Sequence, residues 1–229
     1  MTRIGMIAVV VVAMVLAGCG DGSRGKDPIA GSASEAQKAK LLKELDARFE
    51  NPQAHYQLGK LYHQDGLLER AEYHYNTAIG FDATNRPAQA AMIKLLKDRR
   101  DPERAQIAAE MYMTQASVSG DALMNLGRAF QREGLDDYAL TCYQKAQGVE
   151  PNSASVYKQL GYFYLAKGDK VQAESNLRRS FELNPTQAEV AGELGRMGVQ
   201  VQVPPKAKTD VLAPVKNLFG GQTDETVKE

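Results

Sequence analysis

The chain has 229 residues, of which 43% are hydrophobic and 24% charged, and this composition is typical of a globular protein. Its 28 Lys and Arg residues equal its 28 Asp and Glu residues, which excludes an overall electrostatic attraction to nucleic acid or to an anionic membrane. Cys19 and Cys142 are the only cysteines, so a disulfide-rich scaffold is also excluded.

Residues 1–18 have the features of a targeting segment. Arg3 supplies a positive charge, and a short apolar run follows from Ile4 to Val15. This run falls short of the roughly 20 residues with which a helix spans a bilayer. The residues L-A-G-C at 16–19 resemble the lipobox of bacterial lipoproteins, which implies cleavage before Cys19 and acylation of Cys19. The alternative is a plain secretory signal that happens to end at a cysteine.

The lipoprotein resemblance implies a location in the bacterial cell envelope. In that family an Asp directly after the cysteine favours retention in the inner membrane in some bacteria. Gly20 takes that place here and Asp21 follows, so both membranes stay open, with the periplasmic face of the outer membrane preferred. An acylated Cys19 would leave Cys142 without a disulfide partner. Because Cys142 lies beside a core position, a packed thiol is favoured over a redox role.

Residues 19–33 are rich in Gly, Ser and charge, which predicts a flexible tether. Ser34 and Gln37 then form a capping-box pattern that predicts a helix over 34–50. Its apolar positions follow the helical period and are Leu41, Leu42, Leu45 and Phe49. We interpret this helix as an N-terminal cap.

One pattern of apolar and small residues recurs with a period of 34 residues. Its last copy contains Tyr157, Leu160, Gly161, Tyr164, Gly168, Ala173, Leu177, Ser180 and Pro185. The preceding copy has Leu123, Leu126, Gly127, Phe130, Gly134, Ala139, Tyr143, Ala146 and Pro151. The first copy has His55, Leu58, Gly59, Tyr62, Gly66, Ala71, Tyr75 and Ala78. The block from 86 to 119 keeps the 34-residue spacing of apolar positions but has other residue types at most of them. We interpret it as a degenerate repeat.

This pattern is similar to the tetratricopeptide repeat, a helix-turn-helix unit. The resemblance implies an all-α, right-handed superhelical solenoid with repeats at 52–85, 86–119, 120–153 and 154–187. The small residues Gly59, Gly127, Gly161, Ala71, Ala139 and Ala173 allow close helix approach, and Pro151 and Pro185 end second helices. Because Ile93 replaces this glycine in the second repeat, we expect its two helices to be spread.

The repeats are followed by a capping helix and a tail. Thr186 and Glu189 form a second capping-box pattern, and the start of a fifth repeat predicts a lone capping helix over 188–198. Residues 199–229 lose the helical period and are predicted to be disordered. An apolar group within this tail would dock on its own domain or serve as a partner motif; it consists of Val211, Leu212, Pro214, Val215, Leu218 and Phe219.

The chain contains no nucleotide-binding loop, nucleophile elbow, zinc-protease motif or paired-cysteine metal site. His55 and His63 are about 12 Å apart along one predicted helix, too far to share a metal. We therefore expect no enzymatic activity, no cofactor, no metal and no small-molecule substrate, and we expect no binding to nucleic acid.

In each first helix of the repeats, the fifth, ninth and twelfth positions form a face separate from the core positions. The resemblance implies that this face and the adjoining thirteenth position line a concave groove. These positions hold Tyr56, Lys60, His63, Lys94, Lys97, Asp98, Met124, Arg128, Arg132, Lys158, Tyr162 and Arg196. Most are basic, which predicts an acidic or extended partner segment, the alternative being an ordinary solvated helix face.

These observations favour a lipid-anchored protein-binding scaffold or adaptor in the cell envelope. The alternative is an accessory subunit that positions an envelope enzyme or assembly machine, as in pilus assembly, cell-wall synthesis or cytochrome maturation. Lys60 stands where the carboxylate-binding grooves of some tetratricopeptide proteins have Asn, which disfavours capture of a free C-terminal carboxylate.

Replacing Cys19 tests the anchor. We expect Cys19→Ser to release the protein from membranes or to leave an uncleaved precursor, because several acyl chains give stable anchoring. Cell fractionation and incorporation of labelled fatty acid measure this, with Cys142→Ser as the control. Equal labelling of the wild type and Cys19→Ser would contradict the lipoprotein hypothesis.

Overall fold

The computed structural model describes residues 28–202, with side chains from residue 33 onward, and within this range it is all-α. The helices are α1 Pro28–Ala47, α2 Pro52–Gln64, α3 Leu68–Phe81, α4 Arg86–Asp98, α5 Pro102–Ala116, α6 Gly120–Arg132, α7 Asp136–Val149, α8 Ala154–Ala166, α9 Lys170–Leu183 and α10 Ala188–Arg196. The predicted all-α fold of stacked helical hairpins is confirmed. The predicted signal segment, Cys19 and the tail beyond residue 202 lie outside the described residues.

Each repeat is a helical hairpin whose turn has the same backbone geometry. Gly66, Gly134 and Gly168 occupy equivalent positions with φ of +77°, +73° and +77°. This left-handed region is readily open to glycine because glycine has no Cβ. In the second repeat Arg100 makes the equivalent turn with φ of 61°. The second repeat therefore keeps the hairpin geometry without the glycine, at a cost of about 1 kcal/mol.

The first helices begin with side-chain caps at equivalent positions in three repeats. Asn51 Oδ1 accepts a hydrogen bond from the Ala54 amide at 3.1 Å. Asn85 Oδ1 and Ser119 Oγ accept from the amides three residues later, also at 3.1 Å. Such caps satisfy amides that have no partner within the helix, and each stabilises its helix by about 1 kcal/mol.

The two helices of a repeat meet where the glycine of the first helix faces a large residue of the second. A Cβ built on Gly59 would lie 2.7 Å from the Tyr75 ring, and one on Gly127 would lie 2.5 Å from the Tyr143 ring. At Gly161 the same atom would lie 2.6 Å from Leu177. These separations are too short for any side chain, so the close approach of the helices depends on glycine at this position.

The second repeat fills the same space with the sizes exchanged. Ile93 occupies the glycine position, and Ala109 occupies the position of the large residue that faces it in the other repeats. Both side chains are fully buried. Helices α4 and α5 approach each other closely over fewer residues than the paired helices of the other repeats, as expected from Ile93. The exchange keeps a filled core while it changes the packing of the hairpin.

The helices at the two ends of the stack begin at other residues, or with other contacts, than the sequence predicted. Helix α1 begins at Pro28, so Ser34 lies inside the helix and part of the predicted tether is helical. Leu41 and Leu45 are buried, whereas Leu42 and Phe49 are exposed. Helix α10 begins at Ala188 after Gln187, and the Thr186 hydroxyl donates to Asn184 Oδ1 instead of capping it. Ser34 and Thr186 therefore do not cap α1 and α10.

Two histidines, the fully buried His55 of α2 and the half-buried His74 of α3, lie next to each other beside Phe49. His55 Nε2 donates to the Phe49 carbonyl oxygen at 3.0 Å, so its Nδ1 carries no proton and accepts from His74 Nδ1 at 2.9 Å. Burial lowers the pKa of His55. Burial, and then the repulsion that a protonated His55 would exert, lower the pKa of His74 to about 4. Both rings are therefore neutral in the folded protein near neutral pH.

Among the described residues, no helix is both long enough and apolar enough to cross a membrane.

Adding a methyl group at the helix contact tests the packing. We expect Gly127→Ala to lower the free energy of unfolding by about 1–3 kcal/mol, because its Cβ would overlap the Tyr143 ring. Gly148→Ala is the matched control, since a Cβ there meets nothing within 4 Å, and it should be neutral or stabilising by up to about 1 kcal/mol. Urea unfolding measures both; equal effects would contradict the proposed contact.

Acidification should destabilise the histidine junction. A histidine whose folded pKa is lowered binds protons more readily when unfolded, so stability is lost as the pH falls from about 6.5 toward 4. We expect a loss on the order of 1–3 kcal/mol over this window, and a smaller loss in His74→Gln. His63→Gln, which removes a histidine outside this pair, is the control. A wild-type stability that is unchanged between pH 7 and 4.5 would contradict the neutral pair.

Candidate functional site

The first helices of the repeats lie side by side, α2 with α4, α4 with α6 and α6 with α8. Their common surface carries the predicted binding residues, and we call it the groove face. Side-chain contacts join neighbouring helices along it. His63 contacts Asp98, and Lys158 contacts Glu189. Gln131 and Gln159 both bond the hydroxyl group of Tyr143. These contacts join α2 with α4, α6 with α8, and α8 with α10 along the groove face.

A carboxylate holds two predicted basic residues at the α2–α4 end of the groove face. Lys94 Nζ donates to Asp98 Oδ1 at 2.8 Å. His63 Nε2 lies 3.1 Å from Asp98 Oδ2, and Tyr75 Oη lies 3.4 Å from His63 Nδ1. If His63 donates to the carboxylate, its Nδ1 accepts from Tyr75. The charge of Lys94 is thus offset within its own helix.

The α8–α10 end is likewise neutralised by acidic residues of α10. Lys158 Nζ donates to Glu189 Oε1 at 2.9 Å, and this hydrogen bond lowers the pKa of Glu189. Arg196 pairs with Glu193, three residues earlier on the same helix. Tyr162 lies half-buried beside these pairs, and its pKa is raised by burial and then by the two glutamates. Glu189 and Glu193 occupy the second and sixth positions of the fifth repeat, which the sequence prediction left out.

Two predicted groove residues lie elsewhere. Met124 is only 3% exposed and belongs to the core, so it cannot contact a partner in this structure. Lys97 extends to the other side of the stack, where its Nζ lies 5.8 Å from the centroid of the Tyr138 ring. It lines a 560 Å³ cleft between α5 and α7.

Of the predicted cations other than Lys97, three have no ion pair with any described carboxylate: Lys60, Arg128 and Arg132. All three are exposed. Lys60 Nζ lies 5.7 Å from the centroid of the Tyr56 ring, a cation–π contact. The net positive charge of the groove face is therefore concentrated on α2 and α6.

A buried tyrosine brings a hydroxyl group to the floor of the groove face. Tyr143 Oη donates to Gln131 Oε1 at 3.0 Å and accepts from Gln159 Nε2 at 3.2 Å. Burial raises the pKa of Tyr143 to about 12, against the lowering effect of Arg128 and Arg132 nearby. The hydroxyl is therefore neutral and holds α6 and α8 in register beside the two arginines.

The described residues contain no group of three or more His, Cys, Asp or Glu side chains that could hold a metal ion. Cys142 is buried, and burial raises the pKa of its thiol to about 12, so it is a protonated packing residue at neutral pH.

Residues 52–85 and 154–187 match the family model described as tetratricopeptide repeat. The first and fourth predicted repeats are thus similar to the tetratricopeptide repeat. It is 26% identical over 155 residues to the type IV pilus assembly protein PilF of Pseudomonas aeruginosa, covering 67% of this chain and 62% of PilF. It is 26% identical over 172 residues to the human Superkiller complex protein 3, covering 69% of this chain and 11% of that protein. The chain thus spans less than two thirds of either relative.

Solved structures with similar folds include MamA, with 22% identity, a TM-score of 0.38, and coverage of 70% of this chain and 94% of MamA. Another is YrrB, described as a TPR protein with an unusual peptide-binding site, with 18% identity and a TM-score of 0.38. That match covers 73% of this chain and 86% of YrrB.

Proposed function

We propose that this protein is a non-enzymatic scaffold or adaptor of the bacterial cell envelope, anchored through lipid on Cys19, that binds an extended acidic segment of a partner protein on the groove face. The observation that carries the proposal is the surface formed by the adjacent first helices, with unpaired cations on α2 and α6. Stacked helical repeats commonly use such extended surfaces to bind partners.

The distribution of charge defines the partner segment. Lys60, Arg128 and Arg132 attract acidic side chains on α2 and α6, because no carboxylate of the domain neutralises them. The face also carries balanced pairs, Lys94 with Asp98 on α4 and Lys158 with Glu189 between α8 and α10. A segment with acidic residues opposite α2 and α6, and neutral or apolar residues elsewhere, fits this pattern best.

Half-buried aromatic rings offer apolar contacts to the same segment. Tyr56 lies on α2 and Tyr162 on α8, toward opposite ends of the groove face. Tyrosine provides a large contact area with few rotatable bonds, so it is favoured at protein interfaces. A segment that reaches both rings must be extended, because it crosses α4 and α6 between them.

A second candidate is an accessory factor that positions an envelope assembly machine or enzyme, in pilus assembly, cell-wall synthesis or cytochrome maturation. The similarity to PilF over 155 residues favours the pilus among these. Both candidates use the same groove face and the same lipid anchor. They differ in the identity of the partner, which photo-crosslinking from Tyr162 in cells, followed by mass spectrometry, would determine.

Charge reversal tests the groove face. We expect Lys60→Glu combined with Lys158→Glu to reduce the yield of the crosslinked partner at least tenfold, because both changes repel an acidic segment. Circular dichroism should show unchanged helicity, since both side chains lie at the surface. Lys145→Glu combined with Arg178→Glu, on α7 and α9, is the control with the same change of charge. Full crosslinking by the groove variant would move the interface to another surface.

A further inference from the structure

A cleft between the start of α4 and the length of α6 contains three arginines. It has a volume of 340 Å³, and its lining residues are Thr84, Arg86, Pro87, Asn125, Arg128, Ala129 and Arg132. Arg86 is the first residue of α4, outside the positions predicted for the groove. The cleft therefore joins Arg86 to the two arginines of α6 that the sequence prediction identified.

The three guanidinium groups have no acidic partner. No carboxylate lines the cleft, and no described carboxylate forms an ion pair with any of the three. Their hydrogen-bond partners are neutral amides: Arg86 Nη1 donates to Gln89 Oε1 at 2.9 Å, and Arg128 Nη2 donates to Asn125 Oδ1 at 3.1 Å. Several N–H groups of each fork remain available for a ligand.

Several other arginines of the domain are paired with carboxylates. Arg99 and Arg104 both contact Glu72, and Arg178 contacts Glu174. Arg86 differs because it is partly buried: desolvation lowers the pKa of its guanidinium, although Asp82 nearby opposes this effect. Three cations around one small cleft repel one another, and a bound anion would remove that repulsion.

We propose that this cleft anchors the side-chain carboxylate of an Asp or Glu in the partner segment. The guanidinium fork matches the two oxygens of a carboxylate, and the Asn125 side-chain amide adds a neutral donor while its Oδ1 accepts from Arg128. The cleft has room for an acidic side chain and for part of the segment that carries it. This assignment rests on the proposed function for the identity of the ligand. A free phosphate ion offers the same oxyanion chemistry, so the test must separate the two sources.

The test uses the purified full chain and a fluorescein-labelled peptide of alternating Glu and Ser, with a Gln-for-Glu peptide as the ligand control. Fluorescence anisotropy at low salt measures Kd. We expect Arg86→Gln combined with Arg128→Gln to raise Kd for the Glu peptide at least tenfold, since both forks are lost. Arg178→Gln should change Kd less than twofold. Wild-type binding by the double variant, or equal binding of the Gln peptide, would overturn the proposal.

A second measurement covers the case in which Arg86→Gln fails to fold, because Arg86 also bonds Gln89. Thermal unfolding of the wild type with the Glu peptide should show a rise in Tm that is absent in Arg128→Gln. Stabilisation by inorganic phosphate but not by the peptide would identify a free-anion site and overturn the partner assignment. If Lys60→Glu with Lys158→Glu abolishes crosslinking while the cleft variants bind the peptide normally, the groove function stands and the cleft assignment fails.

Discussion

The close contact between a glycine of the first helix and a large residue of the second is the constraint on which the stack depends. At Gly59, Gly127 and Gly161 the facing side chain would overlap any added Cβ. The contact brings the two helices of a repeat together and directs Tyr75 and Tyr143 through the hairpin, so that their hydroxyl groups reach the groove face. One packing rule therefore stabilises the hairpins and also positions polar groups at the candidate site.

The second repeat shows that this constraint concerns volume rather than a particular residue. Ile93 and Ala109 exchange the sizes found in the other repeats, and Arg100 accepts the backbone conformation that glycine takes elsewhere. Helix α4 consequently packs against α5 over fewer residues than the paired helices of the other hairpins do, and it also packs against α6. The arginine-lined cleft lies at this α4–α6 junction. The irregular repeat and the candidate anion site thus occur at the same place.

Charge on the groove face is arranged locally in a chain that is neutral as a whole. Three of the predicted cations form ion pairs: Lys94 within α4, Lys158 with a residue of α10, and Arg196 within α10. Such surface pairs contribute little to stability, about 0–1 kcal/mol each. Their effect on recognition is larger, because they leave the positive field concentrated around Arg128 and Arg132.

The sequence alone determined the helical hairpins and their order, because glycine, alanine and the large apolar residues recur every 34 positions and only one packing buries them all. It could not determine which groove side chains are free. Met124 is buried, Lys97 lies beside Tyr138 of α7, and Arg86 lines a cleft together with two arginines of α6. Repeat periodicity records contacts within a hairpin, whereas contacts between hairpins depend on the three-dimensional packing of residues far apart in the chain.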